Sequence, residues 1–280
     1  MKTDIAAPTM HAAIERRYRE AVAPLSRLDG PWNDTLATML SHRSVRGYLS
    51  TPLPDGALEM MVAAAQSAST SSNKQFWSVV AVRDPARKAR LAAIAGGQKH
   101  IEQAPLQLVW LADMSRITDA ARARGVALEA TEYLESFLVA VVDAALAAQN
   151  AALAAQSLGL GVVYIGALRN DPEAVAAELG LPPRCFAVFG MCVGHPDPSA
   201  ASDVKPRLPQ SAVLHHERYD PDQADAIARY DAHHVDFRAE QGLGPVDWAG
   251  HMIGRLATIA DLNGREVLKQ ALQRLGFAMR

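Results

Sequence analysis

Residues 129–158, EATEYLESFLVAVVDAALAAQNAALAAQSL, decide the fold class. Leu134, Phe137, Leu138, Val141, Val142, Ala145 and Leu146 recur at the three-and-four spacing of a helix face. The other faces are largely Ala, so neighbouring elements can approach closely all round. Asp143, Gln149, Asn150, Gln156 and Ser157 interrupt the apolar run. Such polar groups belong to a buried helix of a soluble protein rather than to a bilayer span. Gly159 stands where a left-handed residue ends a helix. The stretch predicts a long central helix.

Working outward, Val162 to Ile165 reads as a short strand, Pro172 to Leu179 as a helix and Cys185 to Val193 as a buried strand. Upstream, Asp55 is positioned to cap a helix running through Ser67, with Leu58, Met61, Val62 and Ala65 on one side. Phe76 to Val82 is β-branched and aromatic, and Leu106 to Leu111 is a second apolar run. Ala12 to Leu28 and Asp34 to Leu40 read as helical, as do Asp222 to Arg238 and Trp248 to Leu275, the last broken near Asn263-Gly264. These elements are too unequal for a regular doubly wound sheet. They predict an α+β sandwich, a small mixed β-sheet flanked by helices. The chain is expected to divide into a helical extension (1–40), a core (41–220) and a C-terminal helical segment (221–280).

The 280 residues are 49% hydrophobic and 21% charged, which excludes a mainly disordered chain. Lys and Arg total 28 against 30 Asp and Glu, a net charge of -2. No global basic field is present to hold nucleic acid or an anionic membrane, so any anion site is local. The start of the chain is interrupted by Asp4, Glu15, Arg16, Arg17 and Arg19 and lacks the apolar core of a secretory signal. Two cysteines, Cys185 and Cys192, cannot build a disulfide framework or a four-thiolate metal site. A reduced, cytoplasmic, globular protein is expected.

Five segments carry chemistry. His42-Arg43-Ser44-Val45-Arg46 offers an imidazole, a hydroxyl and two guanidinium groups, which bind oxyanions bidentately, although a solvated connection has the same composition. Ser69 to Gln75 is a run of hydroxyl and amide residues that suits either a ligand edge or a polar turn. In Gly96-Gly97-Gln98 the glycines either stop a helix or let a flat heterocycle approach Gln98. Gly166, just after a strand in YIGALRN (164–170), either turns the chain or admits a ring to the backbone. Lys205 and Arg207 flank Pro206 in an extended segment, where residues two apart share a face, and they form either an anion clamp or surface charge.

Other features carry nothing. His215-His216 and His233-His234 lack the spacing of a catalytic zinc helix, and no metal site is expected. Dinucleotide fingerprints, P-loops and nucleophile elbows are absent from the sequence. A catalytic side-chain nucleophile is therefore not expected.

Taken together, HRSVRGY (42–48), STSSNKQ (69–75), GGQKHIEQAP (96–105), AAQNAALAAQSLGLGVVYIGALRND (147–171), FGMCVGHPD (189–197) and KPRLP (205–209) resemble one family in identity and order. The chain looks like a flavin-dependent nitroreductase, nearest the oxygen-insensitive NADPH nitroreductase and flavin reductase group. The resemblance runs from about His42 to Tyr219 and more loosely beyond. It implies an intertwined homodimer holding FMN in sites at the dimer interface. Carried over by position, His42, Arg43, Ser44 and Arg46 would contact FMN, with Arg46 at the pyrimidine end. Thr70 and Ser71 would line the site and Gln98 would bond the ring. Ile165, Gly166 and Ala167 would run beside the ring, and Lys205 with Arg207 would hold the phosphate.

The implied activity is ping-pong reduction of nitroaromatics, quinones or similar small-molecule acceptors, with NADPH or NADH as donor. The flavin does the chemistry and the protein binds and tunes it, so no catalytic acid or base is implied. Free-flavin reduction, dehalogenation or desaturation on the same scaffold, or a non-catalytic flavin-binding dimer, are the alternatives.

The sequence departs from the family pattern in three places. Ala167 stands where a glycine is usual, and residues 1–41 form a longer lead-in that is expected to extend the dimer contact. The segment RAEQGLGPVDW (238–248) has one cation where the group is usually rich in them, which leaves NADPH and NADH equally open as donors.

Overall fold

Four strands, β1 (Trp77–Val82), β2 (Leu106–Asp113), β3 (Gly161–Ile165) and β4 (Cys185–Gly194), pair in the order β1-β2-β4-β3. They belong to a computed structural model that describes residues 9–22, 25, 31–200 and 202–280. Every pairing is antiparallel, so the sheet is not mixed as the sequence had suggested. β2 and β4 are buried almost throughout. Unbroken apolar strands often signal a parallel sheet. Here they arise because both faces of an antiparallel sheet are covered. Leu106, Leu108 and Trp110 pack on one side with Met61 and the alanines Ala147 to Ala155, while Val109 and Leu111 pack on the other with Leu91, Ile101 and Val175.

The sheet lies in one of two compact units, Val45–Ala200 with Leu262–Arg280. This unit also holds α3 (Ala57–Gln66), α4 (Pro85–Ile94), α5 (Lys99–Gln103), α6 (Ser115–Ala123), α7 (Leu134–Ser157), α8 (Pro172–Leu179) and α11 (Leu268–Arg274). Asp171 caps α8 and Pro172 opens it, as its sequence requires. The N-cap of α3 is Gly56 in the left-handed region, without a side-chain cap bond, and not Asp55. The turn that brings the chain into α3 needs a positive φ, which Gly supplies and Asp adopts only at a cost.

α7 begins later than the sequence pattern suggested, because Glu129–Glu132 is a 3-10 turn and Tyr133 is extended. Its end is as read, with Gly159 left-handed after the Leu158 cap. Its alanine face is the buried one. Ala140, Ala144, Ala147, Ala148, Ala151, Ala152 and Ala155 are fully covered, while Leu134, Leu138, Val142 and Leu146 are exposed at four-residue spacing. The helix has the length and mean hydropathy of a spanning segment, 1.7 over its most apolar window. Its small side chains let α3 and the sheet close on it, and its one buried charge, Asp143, is fully hydrogen-bonded within the unit.

The second unit comprises Met1–Ser44 and Ala201–Asp261. It holds α1 (Met10–Tyr18), α2 (Asp34–Leu40), α9 (Ala224–Glu240) and α10 (Trp248–Gly254), with an extended segment over 202–209. The helix expected over Ala12 to Leu28 ends at Tyr18, because Arg19 turns left-handed at φ 58°. Residues 23, 24 and 26–28 of that stretch, and 1–8 of the extension, lie outside the described residues. The Trp248 to Leu275 stretch is split into α10, two 3-10 turns and α11. Asn263 and Gly264, both at positive φ, make the break.

Candidate functional site

The five phosphate-type candidates His42, Arg43, Ser44, Lys205 and Arg207 all belong to the second unit. The segments that carry them are joined by a residue that sequence reasoning passed over, Arg17 on α1. Its Nη2 donates to the carbonyls of Leu40 (2.8 Å) and His42 (2.7 Å), and its Nη1 donates to that of Lys205 (2.9 Å). The Arg207 N–H returns a bond to the Arg17 carbonyl at 3.0 Å. Along 204–207 burial alternates, with Val204 and Pro206 inside and Lys205 and Arg207 exposed, so the two cations share a face as the spacing predicted. Tyr230 fixes the segment from beneath, donating from Oη to the Pro206 carbonyl at 2.9 Å.

Electrostatically this group is unbalanced. Arg16 and Arg19 are paired with Asp203 and Glu240. Arg17 bonds only carbonyls, Arg43 donates to the Ser202 hydroxyl at 3.2 Å, and Arg207 turns back on the carbonyls of Lys205 and Pro206. Among the described residues none of these three guanidinium groups has a carboxylate partner. Burial and the nearby Arg207 push the Arg17 guanidinium down to about 10. Fork-shaped guanidinium donors brought together in this way are the chemistry that a phosphate monoester satisfies.

The remaining candidates, Arg46, Thr70, Ser71, Gln98, Ile165, Gly166 and Ala167, lie in the sheet-bearing unit. Val45, Ala95, Ile101 and Ile165 share one core cluster with Ala167 against it, which brings the Arg46, Gln98 and Gly166 segments to the same side of the sheet. Arg46 is exposed and has no hydrogen bond or ion pair among the described residues; burial, and then the Arg46 charge, lowers the His100 imidazole below its ordinary value. The amide of Gln98 donates to the Ala95 carbonyl at 3.1 Å, and Gly96 and Gly97 are both left-handed. The two glycines thus stop α4. Ile165 is buried, so only its backbone can line a ligand. The Arg169 guanidinium crowds Gly166, where a Cβ would lie 3.2 Å from Nη2.

Thr70 and Ser71 are placed separately, by α7. Asp143 accepts from Thr70 Oγ1 (2.6 Å), Ser71 N (3.2 Å) and Phe76 N (3.1 Å). Ser72, Asn73 and Gln75 in the same loop are left-handed, a strained path for residues with side chains. Arg17 and Asp143 are the organisers that sequence reading does not pick out. Asp143 carried a signal, a lone carboxylate within an apolar helix. Arg17 carried none that separates it from Arg16 or Arg19.

A family model described as "Nitroreductase family" matches residues 39–195, and one described as "Nitroreductase family, C-terminal domain" matches 205–280. The chain belongs to the nitroreductase family. Among nitroreductase-family relatives, an FMN reductase (NADPH) of Bacillus subtilis is 38% identical over 216 residues, 76% of this chain and 86% of the relative. An oxygen-insensitive NADPH nitroreductase of Salmonella typhimurium is 36% identical over 248 residues, 88% of this chain and 99% of the relative. Among solved structures, the NADPH:FMN oxidoreductase of Vibrio harveyi, complexed with NAD+, superposes with a TM-score of 0.78 at 36% identity. That match covers 89% of this chain and all of the other.

Proposed function

We propose that this nitroreductase-family chain is an FMN-dependent NAD(P)H oxidoreductase that reduces nitroaromatics, quinones or similar small acceptors. The observation that carries the reading is that Arg17, Arg43 and Arg207, which have no carboxylate partner among the described residues, are held on segments fixed to one another by hydrogen bonds. The names of the relatives, an FMN reductase and an NADPH nitroreductase, support it. FMN bound by these residues would supply the redox chemistry, two-electron transfer from NAD(P)H to an acceptor.

The chain's residues bind and tune. Lys205 and Arg207, with His42, Arg43 and Ser44, hold the phosphate through charge-assisted hydrogen bonds. Arg46, which has no hydrogen bond or ion pair among the described residues, would place a positive charge at the pyrimidine end, and Gln98 and the Ile165-to-Ala167 backbone would flank the ring. Thr70 and Ser71 line the site from the loop that Asp143 holds. No side chain of the set is required to move a proton.

The working form is a cytoplasmic homodimer. The exposed stripe Leu134, Leu138, Val142 and Leu146 supports the dimer, and two buried, unpaired cysteines suit a reducing compartment. Anaerobic stopped-flow reduction with NADH and NADPH compared is the test. Flavin absorbance that bleaches with either donor and returns on adding a quinone or nitrofuran is expected; protein that purifies without flavin and binds none sinks the reading.

A further inference from the structure

Arg17 lies outside both stretches that match the family, 39–195 and 205–280. Its guanidinium nevertheless bonds backbone within each of them, at Leu40 and His42 in the first and Lys205 in the second. It is 5% exposed, and the cations near it, Arg207 and Arg16, repel it. A buried charge among carbonyls and like charges is costly to hold. A bound dianion beside it reverses the sign of that local field.

We propose that Arg17 is a positioning residue for phosphate binding: it locks the backbones of segments 42–44 and 205–207 to each other and adds its charge to the field they present to the phosphate of FMN. The inference rests on the FMN reading above and gives the residues preceding the family match a role in cofactor affinity. By linkage, whatever free energy Arg17 contributes to phosphate binding, the phosphate returns to the docking of α1.

The test titrates apo-protein with FMN and with riboflavin, which lacks the phosphate, following flavin fluorescence in wild type, Arg17→Met, Arg17→Lys and Arg16→Ala. Arg17→Met weakens FMN by about ten- to a hundredfold, the range for a hydrogen-bonded charge, and changes riboflavin by less than about twofold. Arg17→Lys falls between, since it keeps the charge and loses the fork. Arg16→Ala, at an exposed ion pair, binds FMN as wild type does. Equal loss of both ligands in Arg17→Met, or FMN affinity within about twofold of wild type, overturns the role of Arg17 alone. Wild type that binds neither ligand overturns the FMN reading, and this inference with it. A second readout needs no variant: FMN slows tryptic cleavage after Arg16 and Arg19 in the wild type and riboflavin does not, and equal rates with the two ligands overturn the proposal.

Discussion

Asp143 in the sheet-bearing unit and Arg17 in the helical unit solve the same physical problem in opposite ways. Each is a nearly buried charge, 2% and 5% exposed, with no opposite charge bonded to it among the described residues. Asp143 is satisfied by three donors from one short loop, Thr70, Ser71 and Phe76. Arg17 is satisfied by carbonyls from two segments more than 160 residues apart in the chain, from Leu40 and His42 to Lys205. A charge that gathers one loop mainly secures the fold. A charge that ties distant cationic segments together also holds their positive groups near one another, which is what the proposed phosphate site requires.

Removing Asp143 gives the largest expected effect. Asp143→Ala leaves two backbone N–H groups and a hydroxyl without their acceptor, at about 1–3 kcal/mol each before relaxation. With three kcal/mol as a working loss, thermal melting drops by roughly 6–12 °C. A melting temperature within about 2 °C of wild type would show that water replaces the carboxylate there.

Next in size, Arg207→Ala weakens FMN retention by about 1.5–3 kcal/mol through loss of a charge-assisted contact, read by equilibrium dialysis of the flavin. The same variant removes the cation that opposes Arg17. Its apo form therefore melts no lower than wild type, so affinity and stability separate at this one position. Unchanged FMN retention counts against Arg207 as a phosphate ligand.

Thr9→Ala takes away the side-chain cap of α1, which accepts from the Ala12 N–H, at a cost of about 1 kcal/mol to that helix. Because Arg17 sits on the last turn of α1, hydrogen exchange is expected to rise at Ala13 and Ile14 while Asp143 and its loop stay protected. Matching increases in both places would mean that the two charges are not independent. The smallest effect belongs to Arg122→Ala, whose ion pair with Asp119 is exposed on both sides. It changes stability by no more than about 0.5 kcal/mol in denaturant titration, which sets the background for the other three.

Local chemistry made much of this legible beforehand. Gly159 as the stop of α7, Pro172 as the start of α8, and the shared face of Lys205 and Arg207 all follow from backbone rules that act within a few residues. What escaped depends on distant partners. The pattern of α7 is apolar on nearly every face, so periodicity alone could not say that the alanines would turn inward and the leucines outward. Strand direction in β4 depends on which neighbours it finds in space, and its composition suits either sense. Arg17 differs from Arg16 and Arg19 only in the direction its Cβ takes from α1, which becomes meaningful once residues 40–42 and 205 are in position. The left-handed glycines at 96 and 97 that end α4 follow from the same local rule as Gly159.

The alanine seam of α7 has a mechanical corollary. Methyl groups possess no rotamers to reshuffle, so a push on this rod is not soaked up by side-chain rearrangement along its length. A subunit seated on Leu138 and Val142 would press within one turn of Asp143, and the strained Ser72-to-Gln75 path would register that load directly. Such a seating would gear assembly to loop shape through a shaft with almost no slack.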